Sequence, residues 1–377
     1  MTPPRLSASV PSANLTIDCV LVSLAAIVFS CAPAVLTGKG RDLPPAYGLK
    51  LMRPFADTSV LTIPAEPSER SHGSKLTPRL VGAVLLWSVG VFRGHPYIPA
   101  TVGTLAFLGS GLVLGRRLGG RAAGLALALT YAGLFATSIG CSRVWMPKPF
   151  DGVALGLIGV ATAAVGSAAL VAGFGFLALW TDERAAVALG LMASLVLVFP
   201  TLDKKAKLRH WLALTAAILA YGLTRVAAGW WLGWRPPDTA HLLDGFPTAL
   251  AYVQWAAWGL AEGGWLVVGV AAFVLLRRRQ HARLAGFIVA STLAVASTLA
   301  VQDMSRAGAF CFPLIPCAAA VLAEQRLHRV LNATLGLAAA VSLLAPNAEI
   351  IRGVAMTWAM PLPAEILLSG ISGTGAD

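Results

Sequence analysis

Long apolar runs separated by short basic clusters constrain this chain more than any other feature. AAGLALALTYAGLFATSIG (122–140) and LAGFIVASTLAVASTLAV (284–301) are two of many. Each is close to the length of a bilayer's hydrocarbon core. Only 12% of the residues are charged, against about a quarter in soluble domains. Runs this many, this long and this poor in charge cannot share one water-facing surface. Backbone polar groups in lipid must be satisfied within the segment, so the spans are helices. The expected class is an all-α polytopic membrane protein.

The formal net charge is +12, a value that in another setting would point to nucleic acid. Here much of it falls in short clusters between apolar runs, the pattern of cytoplasmic loops, and no nucleic-acid partner is expected. The clusters are Arg116-Arg117 with Arg121, Lys204-Lys205-Lys207-Arg209, Arg277-Arg278-Arg279 with Arg283, and Arg326 with Arg329. With the N-terminus inside, a first span at about 17–37 leaves the cytoplasm. A long outer loop (about 38–95) follows. Its apolar stretch at 80–92 is too short to span comfortably and would put the first basic cluster outside, so it reads as an interfacial or re-entrant helix. Further spans fall near 96–115, 122–140, 151–166, 168–181, 186–201, 211–228, 258–276, 284–301, 308–324 and 330–345. The total is about eleven spans, with every basic cluster on one side.

The N-terminus lacks a basic segment followed by a cleavage site, so residues 17–36 are expected to stay as a first span or signal anchor. No repeat or separate soluble domain is expected, and residues 1–377 read as one transmembrane domain. The tail after Pro346 is too short to form another. The cysteines (Cys19, Cys31, Cys141, Cys311, Cys317) have no metal-type spacing and read as small apolar packing residues. His72 and His241 have no second ligand at metal spacing. The tryptophans of GWWLGWRPPDTAHLLDGFP (229–247) fit an interfacial aromatic belt, with sugar stacking as the functional alternative.

This topology gathers the polar residues on the outer face. They include Asp42, Asp57, Glu66, Glu69, His72, Lys75 and Arg79 in the first loop, Arg143, Lys148 and Asp151 after the third span, and Asp303 with Arg306 in the QDMSR turn. Ionisable residues at membrane depth are costly, and several at one face imply a polar cavity. A few carboxylates among several cations suit a site that holds an anionic headgroup and removes a proton. Arginine holds phosphate oxygens well, and a carboxylate can act as general base. The structural alternatives are an Asp303–Arg306 ion pair at a helix end and an N-terminal helix-dipole role for Asp151. Asp57 also fits an ordinary turn, and Glu183 and Arg184 read as solvated loop charges.

The order of features is more specific. A long outer loop and a short amphipathic stretch precede a span ending in LGRRLGGRAAGLALAL (114–129). SRVWMPKPFDGVALGLIGVA (142–161) follows, with an acid opening the next helix. This order resembles the GT-C superfamily of integral-membrane glycosyltransferases, near the bacterial relatives of protein O-mannosyltransferases and aminoarabinose transferases. The resemblance covers about residues 17–166 and, more loosely, the QDMSR turn. It implies transfer of a sugar from a polyprenyl-phosphate carrier to a glycan, lipid or protein acceptor. The reaction would take place at the extracytoplasmic face of a bacterial inner membrane, with inversion at the anomeric carbon.

In that family the first-loop acid is the base, which corresponds to Asp57, and the acid opening the fourth span orients the site, which corresponds to Asp151. Arg306, helped by Lys75, Arg79 and Arg143, would hold the carrier phosphate, with His72 and Asp303 in support. Some relatives use a divalent metal ion, although the sequence shows no metal site. Two departures stand out. Many relatives carry adjacent acids in the first loop where this chain has isolated Asp42 and Asp57, and HGSKLTPRL stands in place of a proline pair. The competing functions are a transporter or flippase for a lipid-linked sugar or other anionic substrate, and a non-catalytic scaffold subunit.

Overall fold

The computed structural model describes residues 12–31, 97–137, 149–198, 202–232, 250–299, 304–345, 347–351 and 355–359. The expected interfacial helix at 80–92, together with Asp57, His72, Lys75, Arg79, Arg143 and Asp303, lies outside these residues.

The chain forms helices in every apolar run so described. They are α1 (Ser12–Ala26, continued by a π-turn over Ile27–Cys31), α2 (Tyr97–Gly133), α3 (Pro149–Ala163), α4 (Ala168–Thr181), α5 (Ala185–Val198) and α6 (Lys204–Leu232). Then come α7 (Val253–Ala261), α8 (Gly264–Arg277), α9 (His281–Leu299), the short α10 (Met304–Ala309), α11 (Leu314–Glu324) and α12 (His328–Leu344). The described fold is all-α as expected, apart from one short hairpin. Beyond Pro346, β1 (Asn347–Ile351) and β2 (Ala355–Ala359) form an antiparallel hairpin, with Asn347 opposite Ala359. Branched and aromatic residues such as Ile350, Ile351, Thr357 and Trp358 favour strand. β1 packs on α7 and α10.

Among the described residues, two segments have by themselves the length and apolarity to cross a bilayer, His281–Leu299 and Met304–Glu324. The pair α7–α8 passes jointly although bent by 88°. Met304–Glu324 runs through the centre of the bundle, 89% buried, while His281–Leu299 is only 28% buried. Such an apolar yet exposed helix suits lipid better than water. α6 shows the same surface, with Leu219, Leu223 and Val226 between 60% and 73% exposed. The structure is that of a helical membrane protein.

The expected spans 96–115 and 122–140 fall on two helical halves of α2 that meet at a sharp break and fold back on each other, Gly115 lying against Ala123 and Gly124 against Leu112. Gly119 and Gly120 leave helical geometry, and Gly120 has φ +81°, which a residue with a side chain rarely adopts. The break lets both halves of α2 pack on the rest of the bundle. Its first half crosses α3 with glycine against glycine: Gly103 meets Gly152 and Gly156, and Gly159 lies against Ser110. In lipid, where apolar surface alone does not drive helices together, small residues permit this close approach.

The bundle has two chemically distinct ends. At one, Arg116 and Arg121 both pair with the buried Asp18 of α1, and Arg117 donates to the carbonyl of Ala163 at the end of α3, 2.7 Å away. The α2 break lies against Leu331 and Asn332 of α12. Arg283 bonds Glu324 at 2.8 Å, and Lys207 lies close enough to feel both charges. The four basic clusters thus share one end, as the topology expected. Asp151 lies twelve residues from Ala163 along α3, about 18 Å at 1.5 Å per residue, and belongs to the other end.

Candidate functional site

Asp151 occupies the first turn of α3, where a carboxylate faces the positive end of the helix dipole. Three further charges converge on it or on its partners. Arg306 of α10 holds Asp151 in a forked contact, with Nη2 donating to Oδ1 and Oδ2 at 2.8 and 2.7 Å and Nε donating at 3.0 Å. Arg184, in the turn between α4 and α5, donates from Nη2 to Asp151 Oδ1 at 2.6 Å. The same guanidinium reaches Asp182, from Nε at 2.9 Å and from Nη2 at 2.6 Å. Asp182 ends α4, its own N–H bonding Ala178, and also accepts from the Arg184 backbone N–H at 3.0 Å.

The chain of contacts Asp182–Arg184–Asp151–Arg306 therefore joins α3, the α4–α5 turn and α10. Its side chains are nearly closed to solvent, with 0%, 9%, 1% and 13% of their surface exposed, in that order. Its formal charge sums to zero. Buried charges endure only when paired and hydrogen-bonded, and the forked geometry fixes the planes of both guanidiniums.

Several sequence expectations meet this geometry. Asp151 and Arg306, assigned separate roles, are direct partners across 155 residues. The local pairing of Arg306 with Asp303 falls outside the described residues, as do Asp57, His72, Lys75, Arg79 and Arg143. The reading of Arg184 as a solvated loop charge is overturned. The turn between α4 and α5 is folded inward, because Asp182 and Arg184 complete the Asp151 cluster. Arg306 stands in a short helix rather than a turn. Among the described residues no group of three His, Cys, Asp or Glu side chains is placed to hold a metal ion.

A further buried carboxylate, Glu262, was not singled out from the sequence. Glu262 lies at the 88° bend between α7 and α8, has φ +43° and is 1% exposed. Its Oε1 accepts the backbone N–H of Phe135 at 2.8 Å, just beyond the end of α2. Trp265 Nε1 donates to the Ala257 carbonyl at 2.6 Å and ties the two sides of the bend. Glu262 thus links one helix break to another. Glu262→Ala leaves a buried N–H without its acceptor, at a cost of about 1–3 kcal/mol. Glu262→Gln keeps an acceptor oxygen and stays close to wild type. Thermal unfolding of the two purified variants checks the difference; equal losses would mean that the Phe135 bond is not what matters.

Fold and site together define a helical membrane protein with a buried ion cluster at the end of the bundle opposite its basic clusters. No family model, curated protein or solved structure matches the chain.

Proposed function

We propose that this chain is a GT-C-like glycosyltransferase of a bacterial inner membrane, with about eleven spans. It would move a sugar from a polyprenyl-phosphate carrier to an acceptor at the extracytoplasmic face. The observation that supports this reading is the Asp151–Arg306–Arg184 cluster at the end of the bundle away from the basic residues. By the positive-inside rule the basic end is cytoplasmic and the cluster faces outward.

In this reading the carrier phosphate binds where the guanidiniums lie, with Lys75, Arg79 and Arg143 adding charge. Because carboxylates already fix the guanidinium planes, little reorganisation is needed as charge grows on the leaving phosphate. Both Asp151 oxygens are held by arginine, so Asp151 positions those groups and Asp57 takes the proton. The acceptor oxygen forms its bond to the anomeric carbon as the carbon–oxygen bond to phosphate breaks. The electron pair leaves with the carrier phosphate, and the acceptor's proton passes to the Asp57 carboxylate.

One observation favours the transporter reading instead. The α7–α8 pair is broken, with a carboxylate buried at the break, and transporters often build sites from discontinuous helices.

A deletion strain separates the two. With a transferase, a defined sugar mass disappears from envelope glycans or glycoproteins, returns with wild type and stays absent with normally expressed Asp57→Asn. The unused lipid-linked donor then accumulates on the outer leaflet, open to impermeant periodate. Accumulation on the inner leaflet makes the protein a transporter. If deletion changes no sugar, the scaffold reading takes its place.

A further inference from the structure

The basic end holds a second place where an anion is favoured, distinct from the cluster around Asp151. α5 packs against both α6 and α9. Lys207, in the first turns of α6, and Arg283, in the first turn of α9, converge beside Glu324 at the end of α11. Two cations thus meet one carboxylate. Further cations, Lys204, Lys205 and Arg277 to Arg279, are exposed around them. Among the described residues the carboxylates at this end are Asp18, Asp203 and Glu324. Asp18 is engaged by Arg116 and Arg121, and Asp203 accepts the Ala206 N–H at 2.7 Å, capping α6.

Burial, and next the nearby Arg283, hold the Lys207 ammonium below its ordinary pKa. An arriving anion would relieve that repulsion. The helix surfaces leading away from this place are apolar and outward-facing. Leu208 and Leu212 of α6 are more than half exposed, as are Ile288 and Val289 of α9. A ligand with an anionic head and apolar tails matches both features.

We infer that the place where the ends of α6, α9 and α11 meet, marked by Lys207, Arg283 and Glu324, binds the phosphate headgroup of an anionic phospholipid from the leaflet at the basic end. Basic pockets between helix ends bind such headgroups through the surface field and direct contact. The lipid would bridge α6 and α9, whose Lys207 and Arg283 repel one another. The inference does not depend on the glycosyltransferase reading.

The test uses the full chain, delipidated in neutral detergent, with dioleoylphosphatidylglycerol, dioleoylphosphatidylcholine or inorganic phosphate as probes. Native mass spectrometry counts retained lipid, and thermal unfolding reads the consequence. Phosphatidylglycerol is expected to bind and raise the midpoint, while phosphatidylcholine and inorganic phosphate do neither. Lys207→Gln weakens phosphatidylglycerol binding about fivefold, the loss expected for one cation at a charged lipid surface. Glu324→Gln removes the competing carboxylate and tightens binding, a gain that a merely misfolded protein would not show. Arg225→Gln, toward the other end of α6, leaves binding unchanged. Equal binding of the two lipids, or a shift reproduced by inorganic phosphate alone, overturns the proposal. So does an equal loss in Arg225→Gln.

Discussion

Asp151→Ala is expected to destabilise the protein by about 3–5 kcal/mol, the usual cost of removing one partner from a buried ion pair. The magnitude follows from what remains. Arg184 and Arg306 would lose the carboxylate they share in a place almost closed to water, while Asp182 still accepts from Arg184. Arg306→Met should cost less, because Asp151 still holds Arg184 at 2.6 Å. Asp151→Ala combined with Arg306→Met should cost less than the sum of the two single changes, since the double variant removes both partners of one ion pair. Thermal or denaturant unfolding of the four proteins in detergent gives the cycle. Asp151→Ala within about 0.5 kcal/mol of wild type would place it with ordinary surface substitutions and contradict the cluster.

The next largest effect is expected at the crossing of α2 and α3. A side chain at Gly103 runs into the Gly152 carbonyl and the Val153 amide. Backbone cannot rotate out of the way, so Gly103→Val should cost at least about 3 kcal/mol, the upper end for overpacking. It also pushes on the turn that carries Asp151. Gly109, on the same helix, faces open space within 4 Å, and Gly109→Ala should be neutral or slightly stabilising, as expected where a glycine is replaced in a helix. Unfolding midpoints of both variants decide the matter. Equal behaviour would mean that the helices do not meet through these glycines.

The expected helix runs and the common end of the basic clusters were legible because both are one-dimensional signals. Apolar runs mark where a helix can sit in lipid, and basic residues resist crossing it. Where α2 breaks could be suspected from LGRRLGG, since two adjacent glycines follow a polar pair. The Asp151 cluster was only half legible. Its members come from 151, 182–184 and 306, and no sequence spacing records which turns fold toward which. Glu183 and Arg184 looked like solvated loop charges because a short charged turn between two apolar runs ordinarily is one. The available signal was that topology placed it at the same face as Asp151 and Arg306. Glu262 and Asp18 left a plainer trace, acids inside or beside apolar runs, which lipid tolerates only when they are partnered. The hairpin after α12 was missed because a short tail was weighed for size and not for strand-forming composition.

The proposed chemistry requires the Asp151 cluster and the basic clusters to face opposite sides of a membrane. The most direct measurement places single cysteines at exposed positions of each end, Ala186 beside the α4–α5 turn and Lys205 at the start of α6. The five native cysteines are first replaced by serine. A membrane-impermeant maleimide added to intact cells should label Ala186→Cys, and should label Lys205→Cys only after the membrane is opened. Labelling of Lys205→Cys alone in intact cells would turn the molecule over. It would put the ion cluster in the cytoplasm and contradict transfer at the outer face.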